Sequence, residues 1–210
     1  MAIKPVAPAR CAVVVGPYTA GKTTLLEALL FAAGAVPRKG SIAEGSTLGD
    51  ASPEARARQM SVEPNFAYCR YLEEEWFLID CPGSIELAQD ARVSLMAADI
   101  AVVVAEPDPV KAANLAPLLR FLDTYQIPHV IFINKMDRAA APVREILEAI
   151  QAHSAKPLVL RQVPIRDGEQ ITGFVDLVSE RAYRYQKGKP SDLIEMPETV
   201  KAREGEARQG

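Results

Sequence analysis

Apolar residues in this chain form short unbroken runs that alternate with stretches of helical periodicity. The unbroken runs, rich in valine and isoleucine, lie at residues 11–15, 100–104 and 130–133. Strands that are apolar at every position are typical of parallel sheets covered on both faces. Helical stretches are predicted at residues 24–30, 85–97, 110–125 and 142–153. The alternation predicts an α/β fold with a mostly parallel sheet and helices on both faces.

Other stretches interrupt this alternation. Residues 66–72 and 76–80 predict a hairpin whose strands are separated by three glutamates, and residues 37–64 show no sustained periodicity. A long aperiodic stretch inside a compact domain is usually a functional loop or a disordered segment, and its place after a phosphate loop and helix favours a loop ordered by the γ-phosphate and Mg²⁺ over a plain linker. A further strand is predicted at residues 158–163, which closes a core of residues 1–163.

From residue 164 the pattern changes to turns and short strands. Strands are predicted at residues 174–178 and 182–185, and a charged, helix-capable tail at residues 198–210. Residues 164–210 are therefore predicted to form a second, smaller unit.

Composition limits the function classes. The net charge of −3 gives no electrostatic basis for sequence-specific DNA binding, and no apolar run is long enough to cross a bilayer. The three cysteines have no C-x-x-C spacing and are predicted to be reduced thiols. We therefore expect a cytoplasmic protein that is monomeric and has no membrane partner.

A glycine-rich octet at residues 16–23 links the first apolar run to the first helix and fits the pattern G-x-x-x-x-G-K-[ST]. Glycines at both ends let the backbone curl with its N–H groups inward, and the helix N-terminus adds partial positive charge. This context predicts a phosphate-binding loop. Its predicted residues are Gly16, Pro17, Tyr18, Thr19, Ala20, Gly21, Lys22, Thr23 and Thr24.

Two side chains of the loop, and a second motif, carry the predicted phosphate chemistry. Lys22 is expected to reach the β- and γ-phosphates, and the Thr23 hydroxyl to bind a Mg²⁺ that bridges them. The hairpin's second strand ends in D-x-x-G. There Asp80 is expected to hold a water on the Mg²⁺, and the Gly83 N–H to meet the γ-phosphate.

The run at residues 130–133 ends in N-K-x-D, which predicts a purine site. The Asp137 carboxylate can accept two hydrogen bonds from guanine, at N1–H and at the exocyclic amine, and adenine offers neither donor there. Asn134 is expected to tie this segment to the phosphate loop, and the Lys135 stem to cover the base. The ligand should lie at the carboxyl ends of the parallel strands.

With these motifs, the chain resembles the N-terminal GTP-binding domain of translation elongation factor G and its elongation-factor-G-like relatives. The similarity covers about residues 11–186 and, besides the three motifs, includes residues 50–62 and 173–178. It implies a P-loop GTPase fold that binds GTP or GDP with Mg²⁺, and a switch on the ribosome driven by GTP hydrolysis. It also implies that residues 164–210 begin an inserted subdomain, and that the last guanine-binding loop follows in a longer factor.

Three positions depart from the family pattern. Ser84 stands where the family has a histidine that orients the attacking water, and its short hydroxyl cannot carry positive charge. Ser61 stands where the family has a Mg²⁺-binding threonine, and Thr19 where an aspartate is usual. The resemblance thus implies catalytic positions at Lys22, Gly83 and, with the family histidine lost, Ser84. The implied metal ligands are Thr23 and Ser61.

Two alternatives remain open from the sequence alone. Ser84 motivates a switch that binds GTP with little or no hydrolysis. The phosphate loop by itself is also compatible with an ATPase or a small-molecule kinase. Against the second alternative stands Asp137, whose two acceptors have no natural role with adenine.

Overall fold

The first sheet carries the predicted core of the molecule. The computed structural model describes residues 8–48, 63–84, 88–139, 141–168, 170–186 and 189–196. The five strands are β1 (Arg10–Val15), β2 (Asn65–Tyr71), β3 (Glu74–Asp80), β4 (Ile100–Ala105) and β5 (His129–Ile133). Their order is β2-β3-β1-β4-β5, and only β2 runs antiparallel to its neighbour. The prediction of a mostly parallel sheet is therefore confirmed.

Helices cover both faces of this sheet. They are α1 (Lys22–Ala32), α2 (Ala88–Leu95), α3 (Ala116–Thr124) and α4 (Val143–Gln151). Leu26 and Leu30 of α1 pack on one face. The opposite face, which includes Val13 and Val15, packs against residues from the other three helices: Leu95, Leu119, Leu122, Ile146 and Ile150. Successive β1 residues thus bury opposite faces, which explains a run without polar alternation.

The helix predicted at residues 110–125 is divided in two. A 3₁₀ helix spans Pro109–Leu115, and α3 begins at Ala116. Pro117 has no backbone N–H and is tolerated only in the first turn of an α-helix, so the α-helix must start there. Asp108 caps the 3₁₀ segment, since its carboxylate accepts a hydrogen bond from the Val110 N–H at 2.9 Å.

The hairpin turn lies one residue earlier than the predicted acidic spacer. Leu72 and Glu73 form it with φ of 49° and 67°, the left-handed values that a two-residue hairpin turn requires. Two of the three glutamates consequently belong to β3. Their charges are accommodated because Glu74 pairs with Arg10 at 2.7 Å and Glu75 lies opposite Arg70.

A second sheet of four antiparallel strands follows in the chain. It contains β6 (Gln162–Asp167), β7 (Gln170–Asp176), β8 (Arg181–Gln186) and β9 (Lys189–Ile194), in that order. The strand predicted at residues 158–163 is wrong in its bounds and in its sheet, because the strand begins at Gln162 and belongs to the second sheet. The side-chain oxygen of Gln151 accepts from the Leu158 N–H at 2.7 Å, and its amide donates to the Lys156 carbonyl. The backbone before β6 is therefore already engaged.

The two outer strands of this sheet, β6 and β9, are difficult to predict from the sequence because each contains a proline. Pro164 lies in β6 and Pro190 in β9, and proline lacks the N–H that an inner strand needs. Edge strands tolerate it. Strand β9 also lacks apolar alternation, so its sequence does not predict a strand.

The three cysteines lie in, or directly after, strands of the first sheet. The three cysteines are free thiols. Burial is the main cause that raises the pKa of Cys81 to about 11, so this thiol is protonated at neutral pH. In the described ranges, no helix is long and apolar enough to cross a membrane. The tail at residues 198–210 lies outside those ranges.

Candidate nucleotide-binding site

The loop between β1 and α1 has the backbone conformation that its glycines predict. Gly16 has a φ of 145° and Gly21 a φ of 96°. A β-carbon at Gly16 would collide with the Val104 carbonyl, and one at Gly21 with the Asn134 side-chain amide. Glycine is thus required twice, for conformation and for space. Thr19 also adopts a left-handed φ of 65°, which is uncommon for a β-branched residue.

Thr23 and Asp80 meet at the start of α1. The Thr23 hydroxyl donates to Asp80 Oδ2 at 2.6 Å, and both side chains are buried. The two residues lie 57 positions apart in sequence, and the parallel pairing of β1 with β3 brings them together. Hydroxyl and carboxylate oxygens are hard ligands, and Mg²⁺ in phosphate sites typically takes one or two protein oxygens besides phosphates and waters. The pair therefore fits Mg²⁺.

Lys22 and Gly83 lie against the same loop. The Lys22 ammonium donates to the Pro17 carbonyl at 3.1 Å, and the residue is only 7% exposed. A β-carbon at Gly83 would lie 2.8 Å from the Tyr18 nitrogen and would also press on the Lys22 ammonium. The D-x-x-G glycine thus packs directly on the phosphate loop, where a larger residue has no room.

Ser84 follows this glycine with its hydroxyl turned inward. Its Oγ is buried, and it has no hydrogen-bond partner among the described residues. Within that part of the chain, no base lies within hydrogen-bond distance of this hydroxyl to activate it.

The N-K-x-D segment contacts the phosphate loop through two side chains. The Asn134 amide donates to the Ala20 carbonyl at 2.9 Å, and the Lys135 ammonium donates to the Thr19 carbonyl at 2.5 Å. The Asp137 side chain is 76% exposed and open to a ligand, with Arg138 Nε 3.7 Å away. All three predicted motifs therefore converge on one loop. Of the remaining predicted residues, Thr24 is exposed on α1, and Ser61 lies outside the described residues.

Sequence reasoning missed Glu106, which directly follows β4. Its carboxylate lies 2.9 Å from the Lys135 ammonium and 2.6 Å from the Lys111 ammonium. Partial burial alone would raise the pKa of Glu106, but hydrogen bonds from the two lysines outweigh burial and lower it. The signal was available, because Glu106 ends a parallel strand at the same sheet edge as the motifs.

Sequence reasoning also missed Glu27, a buried carboxylate one helical turn after Thr23. It is 1% exposed and accepts two backbone hydrogen bonds, from Gly40 at 2.9 Å and from Leu48 at 2.5 Å. The first part of the aperiodic stretch is therefore a turn clasped to α1. A single acidic residue on the apolar side of a helix was the available signal.

The carboxyl ends of β1, β3 and β5 thus bring three motifs to one phosphate loop, which is the arrangement of a P-loop GTPase domain. A family model described as the elongation factor Tu GTP binding domain matches residues 7–198. The chain belongs to this family of GTP-binding domains. The match confirms the resemblance seen in the sequence.

Several relatives are similar over most of this chain. It is 48% identical to an elongation factor G-like protein of Synechocystis, over 93% of this chain and 29% of that protein. It is 32% identical to mitochondrial ribosome-releasing factor 2 of Danio rerio, over 80% of this chain and 22% of that protein. A crystal structure of a Thermus thermophilus protein matches with a TM-score of 0.87 and 28% identity, over 96% of this chain and 30% of that one. The chain spans less than a third of each.

Replacement of Glu27 should release the clasped turn. In Glu27→Gln the amide can satisfy one backbone N–H but turns its own NH₂ toward the other, so we expect a loss of about 2 kcal/mol in the free energy of unfolding. Hydrogen exchange at the Gly40 and Leu48 amides should accelerate. The exposed Glu44→Gln in the same turn is the control, and equal exchange in both variants would contradict the assignment.

Replacement of Glu106 should loosen Lys135. We expect Glu106→Gln to weaken GDP binding by about threefold to tenfold, because a partly buried ion pair contributes about 1 kcal/mol. Lys111→Met, which removes only the outer ion pair, should have a smaller effect in the same calorimetric titration. Because the pKa of Glu106 is lowered from 4.5, its contribution should be complete above pH 4.5 and lost only as the pH falls through this lowered pKa. An equal loss in both variants would contradict a role through Lys135.

Proposed function

We propose that this chain is the guanine-nucleotide-binding domain of an elongation-factor-G-like translation factor, which binds GTP with Mg²⁺ and hydrolyses it in a switch that acts on the ribosome. The observation that carries the proposal is the convergence on one loop of a Mg²⁺-compatible oxygen pair, Thr23 and Asp80, and a base-recognition segment. The relatives named as elongation factor G-like and as ribosome-releasing support the ribosomal setting.

Phosphate binding in this proposal rests on the loop and on Lys22. Inward N–H groups and the N-terminus of α1 offer partial positive charge, and the Lys22 ammonium adds a full one beside Gly83. Thr23 would hold Mg²⁺ directly, and Asp80 through a water. The bound ion would neutralise charge on the β- and γ-phosphates. Ser61 is proposed as a further ligand on the resemblance alone.

Guanine selectivity in this proposal rests on Asp137. Its exposed carboxylate has two acceptor oxygens for the N1–H and the exocyclic amine of guanine. Adenine would leave these acceptors unmatched and place its own N1 lone pair against them, which disfavours it strongly.

Substitution at Asp137 should remove this selectivity. We expect Asp137→Ala to weaken GDP binding by about 100-fold or more and to leave weak ADP binding unchanged, because two charge-assisted hydrogen bonds are lost. Calorimetry of both nucleotides measures this, with the neighbouring Arg138→Ala as the control. Equal affinities of the wild-type chain for GDP and ADP would contradict the proposal.

A second candidate function is a GTP-binding switch with little hydrolysis, and Ser84 favours it. A serine hydroxyl does not titrate near neutral pH, and the Ser84 oxygen is buried without a partner in the described part of the chain. It has neither the charge nor the reach to orient a water against the γ-phosphate. We propose that hydrolysis is slow or uses a group other than a histidine.

Substitution at Ser84 distinguishes the two candidates. In single-turnover assays of the full-length factor with ribosomes, we expect Ser84→Ala to hydrolyse GTP at the wild-type rate and Ser84→His to be at least about tenfold faster, since a positioned acid or base typically contributes about 100-fold or more. GDP affinity is the control for an intact site. A wild-type rate as high as that of Ser84→His would contradict the account of this position.

A further inference from the structure

A β-turn inside the phosphate loop places Thr19 in a strained conformation. The Ala20 N–H donates to the Pro17 carbonyl at 3.3 Å and closes a four-residue turn. Thr19 is the third residue of that turn, and its φ is 65°. A turn that needs a positive φ at its third residue favours glycine or asparagine there. Threonine is disfavoured, because its branched β-carbon crowds the following carbonyl in this conformation.

The strain at Thr19 is offset by a distant segment. The Lys135 ammonium donates to the Thr19 carbonyl at 2.5 Å, across 116 positions of the sequence. Lys135 has a left-handed φ of 56° as well, so both residues joined by this bond are strained. Glu106 holds the same ammonium at 2.9 Å. Backbone strain of this kind persists only where surrounding contacts impose it, and it is concentrated at functional sites.

Relaxation of Thr19 would alter a group that is available to a phosphate. The next residue, Ala20, is fully buried, and the Asn134 amide donates to its carbonyl at 2.9 Å. With this side of Thr19 held, a change in φ would rotate the planar peptide unit between Tyr18 and Thr19. The Thr19 N–H belongs to that unit and would turn with it. The direction of this N–H thus depends on whether Thr19 stays left-handed.

We propose that Thr19 makes the shape of the phosphate loop conditional on the Lys135 bond, and that residues 134–137 thereby control phosphate binding. Thr19 is then a positioning residue, because glycine would keep the turn in shape unaided and threonine keeps it only while Lys135 is in place. This inference rests on the proposed function, guanine-nucleotide binding. It also gives a consequence to the departure from the family pattern at this position, since aspartate tolerates a left-handed φ better than threonine does.

NMR of the nucleotide-free 210-residue chain tests the inference without a ligand. Lys135→Met removes the ammonium group and keeps an unbranched stem. We expect the backbone chemical shifts of residue 19, which report φ, to leave left-handed values in Lys135→Met. They should stay left-handed when Thr19→Asn is added, because asparagine tolerates that conformation. A Thr19 that remains left-handed in Lys135→Met would overturn the inference.

A double-mutant cycle on GDP affinity tests the consequence for binding. We expect Lys135→Met to raise the Kd for GDP at least about tenfold in the wild-type background and at most about threefold in the Thr19→Gly background. Glu106→Gln, which loosens Lys135 without removing it, should show the same dependence on a smaller scale. Thermal unfolding shows whether each variant folds, and Glu106→Gln completes the cycle if Lys135→Met does not.

Two substitutions control for side effects. Thr19→Val keeps the branched β-carbon and removes the hydroxyl, so the loss caused by Lys135→Met should persist at about tenfold. Thr124→Gly makes the same change as Thr19→Gly at an exposed position of α3 and should also leave that loss in place. An equal loss in every background would refute control through Thr19, as would a reduced loss with Thr19→Val or Thr124→Gly. A wild-type chain that binds no GDP would instead contradict the proposed function, and the NMR measurement would still decide the inference.

Discussion

The carbonyl groups of the phosphate loop accept hydrogen bonds from three side chains, and the rest of the site depends on this. Three side-chain contacts bind it: Lys22 to the Pro17 carbonyl, Lys135 to that of Thr19, and Asn134 to that of Ala20. A trans peptide unit whose carbonyl is held on one side presents its N–H on the opposite side. The bonds from Asn134 and Lys135 therefore join the segment for a base to the cradle for an anion.

Three buried or partly buried carboxylates of this domain, those of Glu27, Asp80 and Glu106, each accept hydrogen bonds from a different kind of donor. Backbone N–H groups satisfy Glu27, a hydroxyl contacts Asp80, and two ammonium groups flank Glu106. Asp137 is the contrast, because its oxygens face solvent. Glu27 and Glu106, whose oxygens already have donors, stabilise the framework, and the exposed Asp137 remains available to a ligand.

Much of the fold and the motif positions followed from the sequence, because unbroken apolar runs and glycine spacing are local signals. The motifs could be placed at one edge since parallel strands align their carboxyl ends. The errors arose where a single side chain, or the position of a strand in its sheet, decides the outcome. Pro117 moved a helix start, Gln151 engaged the backbone before β6, and edge positions admitted Pro164 and Pro190 into strands. The positions of Glu27 and Glu106 were visible in the sequence, but their partners, two backbone amides and two lysine ammonium groups, depend on the folded structure.

Thr23 and Glu27 lie four residues apart on α1 and so project from the same side of the helix, about 6 Å apart along its axis. One contacts the carboxylate at the end of β3, and the other holds two amides of the following turn. A single turn of α1 therefore carries both the hydroxyl that contacts Asp80 and the carboxylate that holds the Gly40 and Leu48 amides. A rotation or translation of α1 would displace both sets of contacts together.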